Sequence, residues 1–420
     1  MKSSRDSNLT VLKGALLIDG NGGTPINDSV LIIKGDKIEG VEKATEVKIP
    51  AEAKLIDVSG MTVMPGLIDA HCHIHGIKSM HLMTCVLEPA ELRGIRAVMD
   101  TWRLIDGGFT TVRDCGNLNG PYLRKAVEEG SIIGPRIVSC RAIITQTGGH
   151  GDVAHSLPID WVKQRGICRV ADGVDECRKA TREQLREGAD FIKLCSTGGI
   201  MSEKDSPTSS QFTVEEIRAM VDEAHSAGVK TSSHAQGTTG IRNALLAGVD
   251  TIEHGIYLDD DCIEMMIKQN NYLIPTLAVV EAIANKGLMA GVPEIHVNKA
   301  KNVLGARLQS FERAWRAGVK IGLGTDYLSD PMTPMGENAI ELELYVKAGR
   351  SPMEAIVCAT KVNSEALGLA DKLGTLEVNK LADLIIVNGN PLKDISILRT
   401  KENIISVYKS GIKMPRLSSY

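Results

Sequence analysis

The chain has 420 residues, of which 43% are hydrophobic and 24% are charged, and its formal net charge is −4. This composition is ordinary for a globular protein and argues against a collagen-like chain, a coiled coil or long disorder. The mildly acidic balance and the low aromatic content, 3%, give no reason to expect a nucleic-acid partner. Because no apolar run approaches the ~20 residues of a membrane helix, we expect no membrane partner either.

Cysteine usage and the first residues bear on the compartment. The nine cysteines are scattered without CxxC spacing, and the chain opens with the largely polar stretch MKSSRDSNLT. An odd number of such cysteines is typical of free thiols in a reducing environment. The opening stretch lacks the apolar segment of a signal peptide. We therefore expect unpaired thiols and a cytoplasmic location.

Both ends of the chain are predicted to form strands. LTVLKGALLID and SVLIIKGDKIEGV alternate or run apolar near the start, and LADLIIVNGNP and NIISVYKSGIKM do the same near the end. From Met64 to Leu369 short apolar strands alternate with amphipathic helices instead, which is typical of βαβ units and a parallel sheet. In one helix Ile217, Met220 and Val221 fall on a single face.

Eight strands can be counted in this middle region, which predicts an α/β fold built on a closed (β/α)8 TIM barrel. The predicted strands are TVMPGLIDAHCHI, FTTVRD, PRIVSCRAII, FIKLC, VKTSSHA, VDTIEH, YLIPTLA and VKIGLGTD. We assign residues 64–369 to the barrel. Residues 1–63 and 370–420 are predicted to combine into one small β-sandwich domain, and the meeting of the two ends is a hypothesis at this point.

Polar residues stand at or near the carboxyl ends of several predicted barrel strands. In a barrel those ends converge on one mouth, where active sites form. Five segments far apart in sequence are therefore expected to share one small surface. The residues are His71 and His73 in strand one, Lys193 in strand four, His234 in strand five, His254 in strand six and Asp326 in strand eight.

These residue types predict a metal site. His71 and His73 are two residues apart, so their side chains share one face of a strand. Neutral imidazoles bind zinc and similar metals, and four histidines with one aspartate exceed what one tetrahedral ion needs, so two ions are expected. A neutral Lys193 amine could react with CO₂ to give a carbamate able to bridge both ions. Zinc is the expected metal, with manganese, cobalt or iron as alternatives.

The blocks MPGLIDAHCHI, FIKLCSTGG, SSHAQG, TIEHG and GLGTD occur in this order and resemble the amidohydrolase superfamily of metal-dependent hydrolases. The resemblance covers essentially the whole chain. It implies a binuclear centre with His71, His73 and Asp326 on the buried ion, His234 and His254 on the outer ion, and Lys193 as a bridging N6-carboxylysine. TQTGGHGD, KLCSTGGIMS, EAHSAG and GVDTIEHG resemble the branch of Xaa-Pro dipeptidases (prolidases) and Xaa-Arg/Lys carboxypeptidases.

The resemblance implies hydrolysis of an amide or peptide bond in a dipeptide or N-acyl amino acid by a hydroxide that bridges the metals. Asp326 is expected to act as general base and then general acid. His150, which follows the Gly148-Gly149 turn, is a candidate donor to the oxyanion and a substrate contact. Gln236 is a second candidate substrate contact, because relatives often carry an aromatic residue there.

Other residues keep two interpretations open. Gly198 and Gly199 are either a turn or a close backbone approach to substrate. Arg113 and Asp114 are expected in a structural ion pair rather than in contact with a substrate carboxylate, and His155 is a further candidate for substrate contact. The remaining histidines and two cysteines have structural or surface interpretations: His75 and His81 in a loop, His225 as structural, His296 as solvated, and Cys72 and Cys195 as packing residues.

Two alternatives to a peptide-type amidohydrolase stay open. The first is an amidase or esterase acting on a non-peptide carbonyl, such as a cyclic amide, urea, carbamate or ester. The second is a non-catalytic relative that keeps the scaffold, although a complete ligand set favours an enzyme. A small-molecule substrate and a homo-oligomeric assembly are the expected partners.

Overall fold

Strands and helices alternate along most of the chain in this computed structural model, which describes residues 9–47 and 49–417. In chain order the strands are β1 (Leu9–Leu17), β2 (Ile26–Lys34), β3 (Lys37–Lys43), β4 (Lys54–Asp57), β5 (Met61–Pro65), β6 (Leu67–Cys72), β7 (Phe109–Asp114), β8 (Arg136–Ser139), β9 (Ile143–Thr145), β10 (Cys168–Val170), β11 (Phe191–Cys195), β12 (Lys230–Ala235), β13 (Thr251–His254), β14 (Tyr272–Ile274), β15 (Lys320–Ile321), β16 (Leu384–Asn388), β17 (Ile404–Lys409) and β18 (Ile412–Lys413).

The helices lie mainly between the strands of the middle region. They are α1 (Thr84–Leu87), α2 (Ala90–Asp106), α3 (Gly120–Glu128), α4 (Ile159–Arg165), α5 (Val174–Arg186), α6 (Val214–Ser226), α7 (Thr238–Ala247), α8 (Asp260–Gln269), α9 (Leu277–Lys286), α10 (Glu294–Ala317), α11 (Ile340–Lys347), α12 (Pro352–Val357) and α13 (Asn363–Ala366). A π-helical turn, Cys358–Val362, joins α12 to α13, and two short 3-10 turns, Ile395–Arg399 and Lys401–Asn403, precede β17.

Strands from the two ends of the chain share one mixed sheet. Its order is β18-β17-β16-β5-β1-β2-β3, and β4 also pairs with β1. β16 runs antiparallel to β5, so the carboxyl-terminal segment joins the amino-terminal strands directly, as the sequence predicts. Apolar side chains such as Leu12, Leu31 and Leu384 pack together in this unit. The described strands from the two ends of the chain form a single sheet, and a two-layered sandwich stays a prediction.

The predicted domain limits, 1–63, 64–369 and 370–420, stay predictions as well. Residues 1–8, 48 and 418–420 lie outside the described residues, so the outer ends of the first and last segments are not described. The strands of the terminal sheet occupy residues 9–65 and 384–413, on either side of the parallel strands.

Parallel strands form the middle region, as in a TIM-barrel-like α/β fold. β6, β7 and β8 make one parallel sheet, and β10-β9-β11-β12-β13-β14-β15 make a second. The first strand meets the last at one junction, where the Ala70 amide donates to the Leu323 carbonyl at 2.9 Å. At the other junction the Asp190 amide donates to the Ser139 carbonyl at 2.7 Å. These hydrogen bonds bring the ends of the two sheets together.

Four predicted strands differ from the observed ones. The first is divided between β5, in the terminal sheet, and β6, in a parallel sheet, and the seventh ends at Ile274, before α9. The third is split into β8 and β9 because Arg141 adopts a left-handed backbone with φ of 61°, which interrupts the ladder. Only Lys320–Ile321 of the eighth is regular strand, although Gly322 still donates to Leu273 at 2.9 Å. A Cβ at Gly324 would lie 2.7 Å from the Cβ of His71, so a glycine is needed for this segment to approach the first strand.

The helix pattern follows local sequence rules. α6 begins after Thr213, whose side chain accepts from the Glu216 amide while the Glu216 carboxylate accepts from the Thr213 amide. Its predicted face is buried at Ile217, Met220 and Val221. Burial of one face against the strands and exposure of the other explain why the sequence pattern is amphipathic.

The cysteines behave as the sequence predicts. All nine are buried, and none forms a disulfide. Burial raises the pKa of Cys195 to about 12, so this thiol stays protonated and packs as an apolar group. None of the described helices has the length and apolar character that crossing a lipid bilayer requires.

Asn363 ties the first barrel segment to the last, and its removal is expected to destabilise the fold. Its side-chain Nδ2 donates to the backbone carbonyls of Ile68 at 2.7 Å and Leu323 at 2.8 Å, and its Oδ1 accepts from the backbone amide of Leu323 at 2.9 Å. We predict that Asn363→Ala lowers the free energy of unfolding by about 1–3 kcal/mol, because buried backbone groups lose their partners. Urea titration followed by circular dichroism measures the change.

The exposed Asn285 on α9 provides a matched control. Asn285→Ala should stay within about 0.5 kcal/mol of the parent protein. Equal stability of the two variants would show that Asn363 does not link the strands in solution.

Candidate metal centre

Three of the predicted ligands form a close cluster at the carboxyl ends of the first and eighth barrel segments. The Nε2 atoms of His71 and His73 lie 3.4 Å and 3.1 Å from Asp326 Oδ1. One ligand atom from each residue lies within 4.8 Å of the other two, which suits a shared cation. Burial alone would raise the pKa of Asp326, but the neighbouring histidines, chiefly His71, hold it well below its ordinary value. The carboxylate is therefore ionised.

The orientation of His71 is fixed from behind by a buried carboxylate. His71 Nδ1 lies 2.6 Å from Glu253 Oε2, and Glu253 also accepts from Arg113 at 2.7 Å and Ser232 at 2.7 Å. Burial would raise the pKa of Glu253, but Arg113 and the other neighbouring positive groups hold it well below its ordinary value. An ionised Glu253 accepts the Nδ1 proton, so His71 Nε2 is left with its lone pair toward Asp326.

Arg113 is in a buried ion pair, as expected, but its partner is Glu253 rather than Asp114. Adjacent residues on β7 point to opposite faces, which explains why the two cannot pair. Glu253 itself was missed by the sequence analysis. The only available signal was an acidic residue inside the apolar segment VDTIEH, directly before His254.

A second buried carboxylate, Asp69, joins the strand of His71 to the segment of Asp326. It accepts from the backbone amide of His71 at 2.9 Å, from the Thr325 hydroxyl at 2.7 Å and from the side-chain Nδ2 of Asn338 at 2.7 Å. Burial raises the pKa of Asp69 above its ordinary value, although these hydrogen bonds oppose the shift. Asp69 thus holds the two cluster residues in register with each other. The sequence analysis also missed it.

His234 and His254 form the second part of the site, with ring centroids 4.5 Å apart. His234 Nε2 lies 3.1 Å from the Gly198 carbonyl, and His254 Nδ1 lies 2.7 Å from the Thr276 hydroxyl. Nδ1 of His234 and Nε2 of His254 are therefore the nitrogens left for a ligand. Burial lowers the pKa of both rings well below the ordinary value, which favours the neutral form that binds metals.

Two of the predicted ligands and one of their neighbours have an unusual backbone conformation. His254 and Asp326 have φ values of 70° and 56°, in the left-handed region that non-glycine residues seldom occupy. Thr276, which bonds His254, has φ of 48°. Strained backbone of this kind is held only where the surroundings impose it and often occurs at functional sites.

Lys193 lies on β11 with 2% of its surface exposed, and Nζ has no hydrogen-bond partner among the described residues. It interacts electrostatically with His73, His234 and His254, which places it beside the other predicted ligands. A buried ammonium without a partner is costly, so this amine needs either neutralisation or an additional group. Together with the neutral imidazoles and the ionised Asp326, this orphaned nitrogen fits a metal centre.

A second group of residues with suitable spacing does not fit a metal. One ligand atom from each of His71, Cys115 and Glu253 lies within 4.8 Å of the other two. However, Glu253 is already satisfied by Arg113, and burial raises the pKa of Cys115 to about 12. A protonated thiol is a poor metal ligand, so this group supports the orientation of His71 instead.

His150 adjoins the predicted ligands. Its ring stacks on His234 with centroids 4.0 Å apart, and its Nδ1 lies 2.9 Å from the Ser202 hydroxyl. Burial lowers the pKa of His150 to about 4, so the ring is neutral. Gln236 also lines the pocket, and its side-chain oxygen has no partner among the described residues.

After β11 the backbone of Gly198 and Gly199 comes close to the side chains of two histidines, His234 and His150. The Gly198 carbonyl faces His234 Nε2, and a Cβ on Gly199 would lie 2.2 Å from the His150 ring. A Cβ on Gly198 would lie 2.4 Å from the Ser206 carbonyl oxygen. Glycine is therefore required at both positions by protein contacts alone, and contact with a substrate stays a prediction.

The remaining histidines divide between buried and exposed positions. His75 is buried and stacks on His73 at 5.0 Å, and both ring nitrogens of His155 are buried without a partner among the described residues. His225 bonds Asp250 on the surface. The prediction that His296 is solvated is wrong, because its ring is buried and Nδ1 lies 2.8 Å from the Ile200 carbonyl.

A pocket opens in front of the clustered ligands and encloses about 650 Å³, open solvent included. Its polar wall is formed by five histidines together with Asp326 and Gln236; the histidines are His73, His75, His150, His234 and His254. The opposite wall is apolar and consists of Met80, Leu82, Ile143, Val153, Ile167, Ile200, Met201, Val279, Val280, Ile283 and Leu328. Among the described residues that line this pocket, none is lysine or arginine, and Asp326 is the only acidic residue.

Comparison with known proteins identifies related sequences. Residues 62–413 match the model of the amidohydrolase family. An ochratoxinase from Aspergillus niger is 32% identical over an alignment of 431 positions, which covers 97% of this chain and 87% of that protein.

Solved structures share the same fold. A prolidase complexed with N-methylphosphonate-L-proline has a TM-score of 0.91 and 34% identity, and the match covers 97% of this chain and 100% of that one. A Xaa-Pro dipeptidase with bound methionine in its active site has a TM-score of 0.87 and 34% identity over the same shares. The A. niger ochratoxinase structure has a TM-score of 0.89 and 30% identity, and covers 98% of this chain and 96% of that one.

Glu253 offers a test of the support behind His71. We predict that Glu253→Gln lowers the affinity for zinc by about 10- to 100-fold, because partners that orient a ligating histidine typically contribute that much. Competition with a chromophoric chelator measures the affinity. Glu264→Gln, at an exposed position on α8, is the matched control and should leave it unchanged. Equal zinc affinity in both variants would rule out the role of Glu253.

Proposed function

The chain belongs to the amidohydrolase family and is a hydrolase of C–N bonds, and from this premise we propose that it cleaves the amide bond of a dipeptide or N-acyl amino acid with apolar side groups. The observation that carries the proposal is the convergence of neutral imidazoles and the Asp326 carboxylate at a largely apolar pocket, with the unpartnered Lys193 amine buried beside these imidazoles. The prolidase and the Xaa-Pro dipeptidase among the similar structures support the dipeptide class.

We assign the free ring nitrogens and carboxylate oxygens to two divalent ions, with zinc as the expected metal. The first ion would be held by His71, His73 and Asp326, and the second by His234 and His254. Lys193 would bridge the two as a carbamate, formed when its neutral amine adds to CO₂ and loses a proton. This modification would give the buried nitrogen a negative partner and balance part of the metal charge.

When bound, such ions supply an activated water and polarise the scissile carbonyl. Asp326 is ionised and stands at the edge of the pocket, so it can accept a proton from the attacking water and pass it to the leaving amine. The apolar lining lowers the local polarity of the site, which strengthens these polar interactions.

The pocket lining bears on substrate choice. A substrate with an arginine or lysine side group would bring a cation against apolar residues, with Asp326 as the only acidic partner among the described lining residues. Burying an unpaired charge is costly. Within the amide class, the pocket therefore favours Xaa-Pro and other apolar leaving groups over the Xaa-Arg/Lys type.

One observation favours a second candidate, an amidase that acts on a neutral non-peptide carbonyl. The described lining includes no lysine or arginine that could pair with a substrate carboxylate. An amide, urea or carbamate without a free carboxylate would need no such partner. The polar wall would suffice to position it.

A substrate screen of the zinc-loaded protein tests these proposals. We predict hydrolysis of Xaa-Pro dipeptides and of N-acyl leucine, methionine or phenylalanine in preference to N-acyl lysine or arginine, because the walls are apolar. Asp326→Asn should lower kcat by about 10²–10⁴-fold on each active substrate, as expected for loss of a general acid–base. Released amine, quantified by chromatography, is the readout.

Asp371→Asn, at an exposed position, is the control and should be as active as the parent. Activity on neutral anilides alone would replace the dipeptide proposal with the second candidate. Preference for N-acyl lysine, or full activity of Asp326→Asn, would contradict the proposal.

A further inference from the structure

A closed set of hydrogen bonds links His150 to three residues, Ser202, Asp205 and Gln211, that are not among the lining residues of the pocket. Its backbone amide donates to Gln211 Oε1 at 2.9 Å, and its Nδ1 lies 2.9 Å from Ser202 Oγ. Ser202 Oγ in turn hydrogen-bonds Asp205 Oδ1, and Gln211 Nε2 donates to Asp205 Oδ2 at 2.9 Å. Four side chains from three separate segments thus form one ring of contacts behind the imidazole.

The donors and acceptors in this ring of contacts determine the direction in which each hydrogen bond is donated. Asp205 already accepts from the Gly199 amide at Oδ1 and from Gln211 Nε2 at Oδ2, so it acts as an acceptor and the single hydroxyl proton of Ser202 is donated to it. Ser202 Oγ must then accept from His150 Nδ1, which requires a proton on that nitrogen. The orientation of Gln211 agrees, because its oxygen accepts from the His150 amide while its nitrogen donates to Asp205.

The loop that carries Ser202 and Asp205 is anchored independently of the site. Lys299 on α10 donates to the carbonyls of Ser202 and Asp205, each at 2.6 Å. The Gly199 amide donates to Asp205 Oδ1 at 3.2 Å, and the missing side chain of Gly199 makes room for the His150 ring. Ser202 and Asp205, which we call the relay, are therefore held in a fixed position relative to the His150 imidazole.

We propose that Ser202 and Asp205 are positioning residues that keep a proton on His150 Nδ1, so that Nε2 serves the pocket as a hydrogen-bond acceptor. A neutral imidazole carries one proton, so an Nε2 without it cannot donate to an oxyanion. His150 then accepts from an N–H group of the substrate, in place of the donor role expected from sequence. This inference rests on the proposed hydrolysis for its catalytic consequence, but the position of the proton does not depend on it.

The test combines a spectroscopic and a kinetic readout on the zinc-loaded protein. Long-range 1H–15N correlation of protein labelled with 15N-histidine identifies the protonated nitrogen, and the signals of His150 are assigned by their absence in His150→Gln. We expect the Nδ1–H form in the parent protein. Ser202→Ala and Asp205→Asn should both lose this fixed form and lower kcat by about 10- to 100-fold, while zinc content stays unchanged.

Ser206→Ala is the matched control, since Ser206 lies in the same loop and bonds Thr208 and Ser209 instead of the relay. It should keep both the Nδ1–H form and the parent kcat. A proton on Nε2 in the parent, or an unchanged Nδ1–H form in both relay variants, would overturn the inference. If the protein cleaved none of the amides tested, the proposed function would fail while the spectra would still decide the position of the proton.

Discussion

A buried amine without a hydrogen-bond partner is the feature on which the arrangement of the site depends. Lys193 ends inside the barrel beside the candidate histidine ligands, and no described atom forms a hydrogen bond with its Nζ. An unpaired charge at such a place costs several kcal/mol, so the residue is a liability for stability alone. A carbamate shared between cations would remove that cost. It would also explain why imidazoles and a carboxylate converge there from strands distant in sequence.

The contacts behind the site are also the contacts that join the barrel strands. Glu253 on β13 links to His71 on β6 and to Arg113 on β7, and Asp69 links β6 to the segment after β15. Fold and site are therefore not separable layers here. Glu253 contacts the ring of His71 and Asp69 its backbone amide, and each carboxylate also joins two segments of the barrel.

Sequence reasoning located the candidate ligands because they share a position, the carboxyl end of a barrel strand, and a residue type. His71 and His254 could be found in this way. The partners of these residues could not be found, since Arg113 and Glu253 are 140 positions apart and the sequence does not show which buried charges meet. The same limit applies to His296, whose burial is set by packing of α10 against the loop after β11 and not by its neighbours in sequence.

Anomalous diffraction from crystals grown with zinc would show whether two ions bind at the barrel mouth. We expect two anomalous peaks, one beside His71, His73 and Asp326 and one beside His234 and His254. We also expect electron density for a carboxyl group on Lys193 between the two peaks. A map with no bound zinc at these residues, or with one ion beside an unmodified lysine amine, would contradict these expectations.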